Sequence, residues 1–468
     1  MAQTWRSGAR AAAILPALLA VFPAIGAAQP QPATQSATGD DDAEWRRQME
    51  ARMQQLEREN RELRQQVGQV AETQQAVIRD AQQRGTFTLD RRPEQTTPDF
   101  FDLNKYAAEG DFPGSIRLPG TSTSIQIGGF AQLDMIFDFD RIGSRDNFIP
   151  RTIPTDIGGA GETNFSARQT RLFVKTTSPT DWGTLTTYIE TDFFGSDNTA
   201  ELRLRHAYGE IGDDRKLLGG QTWSVFVDAS AFPATLDQEG AAGEMITRRP
   251  QLRYTHKLPS DFTWAISLED PNPDFSNAVG ADGEGVARFP ALASNVRMKR
   301  DWGHLQLAGL LRQLTFDPDV GSREHVLGWG LNFTGQINLF ENDKLQFQLA
   351  GGDAIADYMN DTNGVGLDGF YDGSDLHGLM AAGVVLGYQH WWSKKWDSNF
   401  IYSFAWIEDD DDLPGSVYSS GQYAVVNLRW HPAERVMLGG EMLFGVREDQ
   451  DGDNGEAFRV QFSAQYKF

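Results

Sequence analysis

The last eleven residues, "FRVQFSAQYKF" at 458–468, alternate strictly between apolar and polar side chains. The apolar half ends on an aromatic residue, Phe468, and the polar half includes the cations Arg459 and Lys467. A period of two places successive side chains on opposite faces of a β-strand. An outward apolar face with an aromatic at its end is typical of a strand that contacts lipid on one side.

Fifteen further segments after Thr121 have the same alternation, for example "SIQIGGFAQLDMIFDF" at 124–139. Their connections alternate between tight turns, such as "GDDRK" at 212–216, and long loops, such as 353–377. An even strand number with short turns at one end and long loops at the other is the pattern of an outer-membrane barrel. We therefore predict an all-β transmembrane barrel of sixteen antiparallel strands over 121–468. A soluble propeller or sandwich, the rival fold, requires no such alternation of short and long connections.

The N-terminus predicts an exported protein, which agrees with the bacterial outer membrane as the location of the predicted barrel. Arg6 and Arg10 precede the apolar stretch "AAAILPALLAVFPAIGAA", which ends on small residues at Ala28. This is the arrangement of a signal peptide, predicted here as 1–28. An uncleaved anchor helix is the alternative, against which Pro16 and Pro23 argue.

Residues 29–84 are predicted to form a periplasmic α-helical coiled coil ahead of the barrel. Apolar residues recur every seven positions, and a second series, which includes one asparagine, lies four residues after members of the first. This heptad pattern predicts helices that associate, with the asparagine fixing the register. The oligomerisation residues are Met49, Met53, Leu56, Asn60, Leu63, Val67 and Val70. The alternative is a lone helix that packs on the barrel, and the proline-containing segment 85–120 is predicted to be a linker.

Residues that alternate with the lipid-facing positions are predicted to line the lumen, and many are cationic. Leu202 and Leu204 point outward in this phase, so Arg203 and Arg205 point inward; His206 shares the outward phase. The acidic residues that give the chain its net charge of −23 are concentrated in loops, such as "EDDDD" at 408–412. The predicted solute path contains Arg171, Arg203, Arg205, Arg249, Arg253, Arg297, Lys299, Arg429 and Arg459.

A cationic lumen in a low-dielectric wall concentrates anions, and the planar guanidinium group matches a carboxylate. The sequence therefore favours a diffusion channel for small anionic solutes. The alternative is that inward arginines and acids simply pair with one another across the lumen.

One long connection, "VDASAFPATLDQEGAAGEMIT" at 227–247, follows the fifth predicted strand. We expect it to fold inward and narrow the channel. Its acids Asp228, Asp237, Glu239 and Glu244 would then face the cationic wall and set up a transverse field. The alternative is an ordinary external loop.

Enzymatic, metal-binding and nucleic-acid-binding functions have little support. The seven histidines are scattered and no G-x-S-x-G motif occurs, so a Ser/His/acid site is not indicated. The absence of cysteine excludes thiol catalysis and cysteine-based zinc sites. The acidic stretch "DQDGDNGE" at 449–456 lacks the glycine and the final glutamate of an EF-hand. No cofactor is predicted, and an acidic chain with dispersed basic residues does not indicate nucleic-acid binding.

Three stretches resemble the DcaP-type trimeric outer-membrane porins: "GSIRLPGTSTSIQIGGFAQLD" at 114–134, "QTWSVFVDASAFPATLD" at 221–237 and "RRPQLRYTH" at 248–256. The resemblance covers about residues 41–468. It implies a sixteen-stranded barrel, a homotrimer in outer-membrane lipid and diffusion of small dicarboxylates. It also implies a cationic lumen around Arg203, Arg205, Arg249, Arg253 and Arg297. A general porin, or a structural protein tethered to peptidoglycan through the coiled coil, is the alternative.

Overall fold

The computed structural model describes residues 108–156, 158–196, 199–277 and 283–468. The predicted signal peptide, the coiled coil with its seven oligomerisation residues, and the linker up to residue 107 lie outside the described residues. Among the residues that are described, no helix is long and apolar enough to cross a membrane.

Sixteen long strands make up most of the described chain, and we number them β1 to β16. The first eight are Ser124–Asp138, Arg171–Thr180, Gly183–Asp192, Arg203–Gly212, Arg215–Trp223, Arg248–Lys257, Phe262–Glu269 and Ala291–Arg300. The last eight are Gly303–Pro318, Glu324–Leu339, Asp343–Asp353, Met380–Ser393, Trp396–Ile407, Tyr418–Trp430, Val436–Asp449 and Asn454–Lys467.

Each of these strands pairs antiparallel with the next, and β16 pairs with β1, so the sheet closes on itself. The prediction of a closed sixteen-stranded antiparallel barrel is confirmed. We call the contact between β16 and β1 the seam. Its register runs from Arg459 opposite Asp138 to Lys467 opposite Phe130. The backbone of Phe468 continues the pairing, because its N–H donates to the carbonyl of Gly129 at 3.1 Å.

In the described ranges, shorter elements occur before β1 and between the long strands. The short strands are Ala108–Glu109, Ile116–Arg117, Thr163–Ser166, Ser276–Asn277, Gly283–Gly285, Gly369–Tyr371 and Leu376–Gly378. Three single-turn 3₁₀ helices are Pro150–Thr152, Ala356–Tyr358 and Asn360–Thr362. Strands β2 to β8 have 8 to 10 residues, whereas β9 to β16 have 11 to 16. The wall is therefore shorter on the β2–β8 side.

The strand alternation separates an apolar outer face from a polar inner face. In β10, Leu331 is 55% exposed on the outside, while Asn332 is fully buried inside. Tryptophans lie at the short-turn end: Trp182 and Trp302 occupy turns, and Trp396 stacks on Trp430 with ring centroids 5.6 Å apart. Aromatic rings at this level are typical of the membrane–water interface. In outer-membrane barrels the short-turn end is periplasmic.

A buried ion pair joins the first and last strands. Arg459 Nε lies 2.6 Å from Asp138 Oδ1, and Arg459 Nη2 also donates to the carbonyl of Ser144 at 3.0 Å. The Arg459 side chain has no solvent exposure and that of Asp138 has almost none. The pair therefore links barrel closure to the loop that follows β1.

We expect the Arg459→Gln substitution to lower the free energy of unfolding by about 3–5 kcal/mol, because it leaves the buried Asp138 carboxylate without its charged partner. Denaturant unfolding in detergent micelles would measure the change. Lys257→Gln is the control, since its ion pair with Asp214 is mostly exposed and should contribute little. Equal stability losses in the two variants would contradict a structural role for the seam pair.

Candidate functional site

The connection between β5 and β6, residues 224–247, folds into the barrel, and we call it the inward loop. Its backbone forms hydrogen bonds with inner-wall side chains of strands between β7 and β16. These are Glu269, Asn295, Gln306, Asn332, Gln346, Gln348, Ser403, Asn427, Glu441 and Gln461. The inward loop is therefore held against the β7–β16 side of the lumen.

Two glycines allow the inward loop to touch the wall. A Cβ atom at Gly243 of the loop would overlap the carbonyl oxygen of Phe404, and one at Gly383 of β12 would overlap the carbonyl oxygen of Gly243. Backbone packs directly on backbone here, and a side chain at either position would force the two apart. The Gly243 N–H also donates to Ser403 Oγ at 2.8 Å.

Two further loops pack on the inward loop inside the barrel mouth. The β1–β2 loop (139–170) reaches it through the Phe148 N–H, which donates to Asp237 Oδ1 at 3.1 Å. The β11–β12 loop (354–379) reaches it through the carbonyl of Tyr358, which accepts from the Ile246 N–H at 3.0 Å. The contact between the three loops includes fully buried apolar side chains: Phe148, Ile153, Phe226, Met245, Tyr358 and Met359. Part of the lumen is thus a packed apolar core rather than an open channel.

The four predicted acids of the inward loop occupy different environments. Asp228 is buried and accepts from Arg297 Nη1, His304 Nε2 and Thr334 Oγ1, each at 2.8 Å. Burial acts to raise the pKa of Asp228, but the His304 hydrogen bond and the Arg297 charge hold that pKa below its usual range. Asp228 is therefore an ionised anchor on the wall.

Asp237 and Glu244 are buried in the packing between the loops. Asp237 accepts from two backbone N–H groups and from the Tyr423 hydroxyl, and burial raises its pKa to about 6. Glu244 is 4% exposed, and burial raises its pKa well above the usual value. Neither carboxylate is exposed to a passing solute.

Glu239 is the loop acid with appreciable exposure, and it lies within electrostatic reach of Arg203 on β4 and Arg151 of the β1–β2 loop. Its Oε2 accepts from Asn147 Nδ2 at 2.9 Å. Protein atoms surround the carboxylate deep in the mouth, and this burial, together with the nearby Asp237 charge, raises the pKa of Glu239 to about 7. Its charge therefore changes within the physiological pH range.

Four guanidinium groups converge on the side of the lumen opposite the hydrogen bonds of the inward loop. We call Arg171, Arg203, Arg205 and Arg248 the arginine cluster. Arg203 binds Asp192 through two nitrogens, at 2.9 and 2.7 Å. Arg205 bridges Glu190 and Asp192, at 2.7 Å each. Arg171 Nε is 3.7 Å from Glu190 Oε1. Three of the four cations thus share two carboxylates, Glu190 and Asp192, and Arg248 adds a fourth positive charge beside them.

Arg248 is the member of the cluster with the fewest partners. Its guanidinium stacks on Trp223, 4.3 Å from the ring centroid, and the charges of Arg171, Arg203 and Arg205 act on it. Among the described residues, the Nε atoms of Arg171 and Arg248 are buried without a hydrogen-bond partner. The sequence prediction omitted Arg248 because strict alternation assigned Arg249 to the lumen, but Arg248 is the first residue of β6, where the chain has just left a loop.

A β-bulge places two consecutive side chains of β4 inside the barrel. Glu190 pairs with His206 and Thr191 pairs with Leu204, so Arg205 is an extra residue in β4. His206 consequently faces inward, where its Nδ1 lies 3.0 Å from Thr222 Oγ1. The prediction that His206 faces lipid was wrong, since an uninterrupted period of two does not survive a bulge.

Most other predicted path cations are engaged inside the barrel. Arg249 is buried and paired with Asp357 of the β11–β12 loop, and Arg459 is paired at the seam. Arg297 binds Asp228, and Arg429 binds Asp397 at 2.6 Å. Arg253 donates to Gln251 and to the carbonyl of Trp223, while Lys299 is exposed near the short-turn end. The sequence could not assign these partners because most of them lie far away along the chain.

Metal binding has no support in the part of the chain that the structure describes, since no group of three or more His, Asp or Glu side chains there is arranged to hold an ion.

Comparison with known proteins gives a family match and structural neighbours. The family model described as "DcaP outer membrane protein" matches residues 105–468. The outer membrane channel DcaP of Acinetobacter baumannii has a TM-score of 0.65 at 22% identity, covering 74% of this chain and 97% of that one. An anion-selective porin from Comamonas acidovorans has a TM-score of 0.53 at 12% identity, covering 74% and 100%. A comparison with curated proteins finds no match.

We expect Gly243→Ala to displace the inward loop from the wall, because the new methyl group would overlap the Phe404 carbonyl. Single-channel recording should then show a noisier current with a changed conductance. Gly309→Ala in β9 is the matched control, because the nearest atoms to a Cβ there are 4.0 Å away. If the Gly243→Ala and Gly309→Ala channels gave the same current, the tight contact at Gly243 would be contradicted.

Proposed function

This chain belongs to the DcaP outer membrane protein family, and on that premise we propose that it is a diffusion channel for small anionic solutes, dicarboxylates in particular. The family and the closed barrel make it an outer-membrane porin. The observation that carries the anionic preference is the arginine cluster beside the inward loop, where four guanidinium groups lie together and only two carboxylates, Glu190 and Asp192, form ion pairs with them.

The position of the cluster supports a role in permeation. The inward loop is bonded to the β7–β16 side, so a solute passes on the side of β2 to β6, where the cluster lies. The exposed edge of this passage carries Arg203 on the wall and Glu239 on the loop. Opposite charges across a narrow passage orient and select permeating ions.

The two incompletely bonded arginines favour a solute with two carboxylates. Arg171 and Arg248 each have a buried Nε without a hydrogen-bond partner among the described residues. A guanidinium group binds a carboxylate through paired N–H donors, so one solute could engage both arginines at once. The Trp223 ring supplies flat apolar surface beside them, and the His206 ring meets it edge-on with the centroids 5.5 Å apart.

We further propose that the channel is a homotrimer whose protomers meet along the β2–β5 wall. The outer face of this wall is rich in small and hydroxyl side chains. Thr176 and Thr187 bond to each other at 2.7 Å, and Gly209 lies opposite Gly219. This face suits close contact with another protein surface better than the Leu- and Phe-rich face of β9 to β16. The predicted coiled coil would join the same protomers in the periplasm.

We expect added succinate to interrupt the single-channel current of the full chain, and the double substitution Arg171→Gln plus Arg248→Gln to shorten these interruptions at least about tenfold. Each charge-assisted hydrogen bond that is lost contributes about 1.5–3 kcal/mol, and 1.4 kcal/mol corresponds to tenfold. Lys257→Gln, which removes an exposed cation at the short-turn end, is the control. Interruptions of equal length in the double variant and the control would contradict the proposed binding site.

We expect the preference for anions to increase as the pH falls through about 7. The pKa of Glu239 is raised to about 7, so its carboxylate is ionised above that pH and neutral below it. Loss of this negative charge leaves the arginines unopposed. Zero-current potentials in a salt gradient at several pH values would measure the change. The Glu239→Gln channel should show the anion preference of the wild-type channel at low pH at every pH that is measured. If its selectivity depended on pH as strongly as that of the wild-type channel, another group would be responsible for the titration.

A further inference from the structure

The residues that precede β1 form a small hairpin at the short-turn end of the barrel, and we call residues 108–117 the collar. Ala108–Glu109 pairs with Ile116–Arg117, and Ile116 in turn pairs with Ile125 at the start of β1. The Asp111 N–H donates to Ser124 Oγ at 2.9 Å, and that hydroxyl donates to Asp111 Oδ2 at the same distance. Ser124 has no solvent exposure. The collar is therefore fixed to the barrel by backbone and side-chain bonds.

The turn of the collar lies on the lumen side of the wall. Gly114 packs on Gln126, where a Cβ atom would come within 2.9 Å of Nε2. Gln126 is paired with Lys175 across β1 and β2. Both face inward, because Ile127 and Val174 beside them are exposed on the outer surface. The turn thus covers part of the periplasmic mouth from the inside.

Phe112, in this turn, covers an inward cation. The Lys175 Nζ atom lies 4.8 Å from the centroid of the Phe112 ring, within the range of a cation–π contact. Within the described ranges, no carboxylate forms an ion pair with Lys175. Lys175 is four residues from Arg171 on β2, roughly 13 Å further toward the periplasm at the rise of a β-strand. A second, unneutralised cation therefore follows the arginine cluster along the same wall.

We propose that the collar narrows the periplasmic mouth and that Phe112 and Lys175 form a second binding station for permeating carboxylates. This inference rests on the proposed anion channel. An anion that leaves the arginine cluster meets Lys175 next, and the Phe112 ring restricts the route beside it. The ring also lowers the freedom of the lysine side chain, so the charge stays directed toward the solute path.

The absence of native cysteine permits a direct test by single-cysteine labelling. Phe112→Cys, in the full chain in a planar bilayer, would be treated with a charged methanethiosulfonate reagent from the short-turn side. We expect a stepwise loss of conductance upon modification. Ile116→Cys is the matched control, because Ile116 pairs with the outward residue Ile125 and is itself exposed. Its modification should leave the current unchanged.

Lys175→Gln gives an independent readout that does not depend on labelling. It should reduce the preference for anions, whereas Lys257→Gln, an exposed cation at the same end, should not. Silent modification at position 112 together with unchanged selectivity in Lys175→Gln would overturn the inference. If succinate interrupts the wild-type current and the Arg171→Gln plus Arg248→Gln substitutions shorten these interruptions, the proposed function survives the failure of the second binding station. If succinate has no effect on any of the channels, the proposed function fails as well.

Discussion

Every backbone N–H and C=O group that crosses the bilayer needs a partner within the protein, because lipid supplies none. A single antiparallel sheet meets this requirement when its last strand pairs with its first, as β16 does with β1. Because the number of strands is even, the start of β1 and the end of β16 lie at the short-turn end, and the long loops lie at the other end. Closure also fixes which alternate residues face lipid and which face the lumen. The inward loop, the arginine cluster and the collar all take their positions from this closed wall.

The barrel interior uses most of its charges as anchors rather than as a channel lining. Arg459 binds Asp138 at the seam, and Arg249 and Arg312 hold the β11–β12 loop through Asp357 and Asp368. Removing one partner from such a buried pair is costly, so the loops have a fixed location. Cationic charge is left over on the β2–β6 wall, because the inward loop is bonded to the opposite side. The selectivity proposed for this channel therefore originates on the β2–β6 wall, where the loops supply too few carboxylates to neutralise the arginines.

The features set by local pattern were predictable from the sequence. Sixteen alternating segments, including 458–468, and the alternation of short and long connections predicted a closed barrel. The phase of the alternation predicted that Arg203 faces the lumen. Features set by contacts distant in sequence were not. Phe148 and Tyr358 look like ordinary loop residues, yet they pack inside the barrel against the inward loop. The bulge at Arg205 shifts the phase of His206, and a rule of strict alternation cannot anticipate an inserted residue. The partners that neutralise Arg249 and Arg297 come from loops, so the sequence overestimated the charge of the lumen.

An excess of positive charge in the passage beside the inward loop should make the channel more permeable to anions than to cations. The zero-current potential of the full-length wild-type channel, recorded in a planar bilayer across a potassium chloride gradient at neutral pH, reports this preference. We expect the sign of the potential to show that chloride is the more permeant ion. A potential of the opposite sign, with potassium as the more permeant ion, would show that the passage carries no such excess.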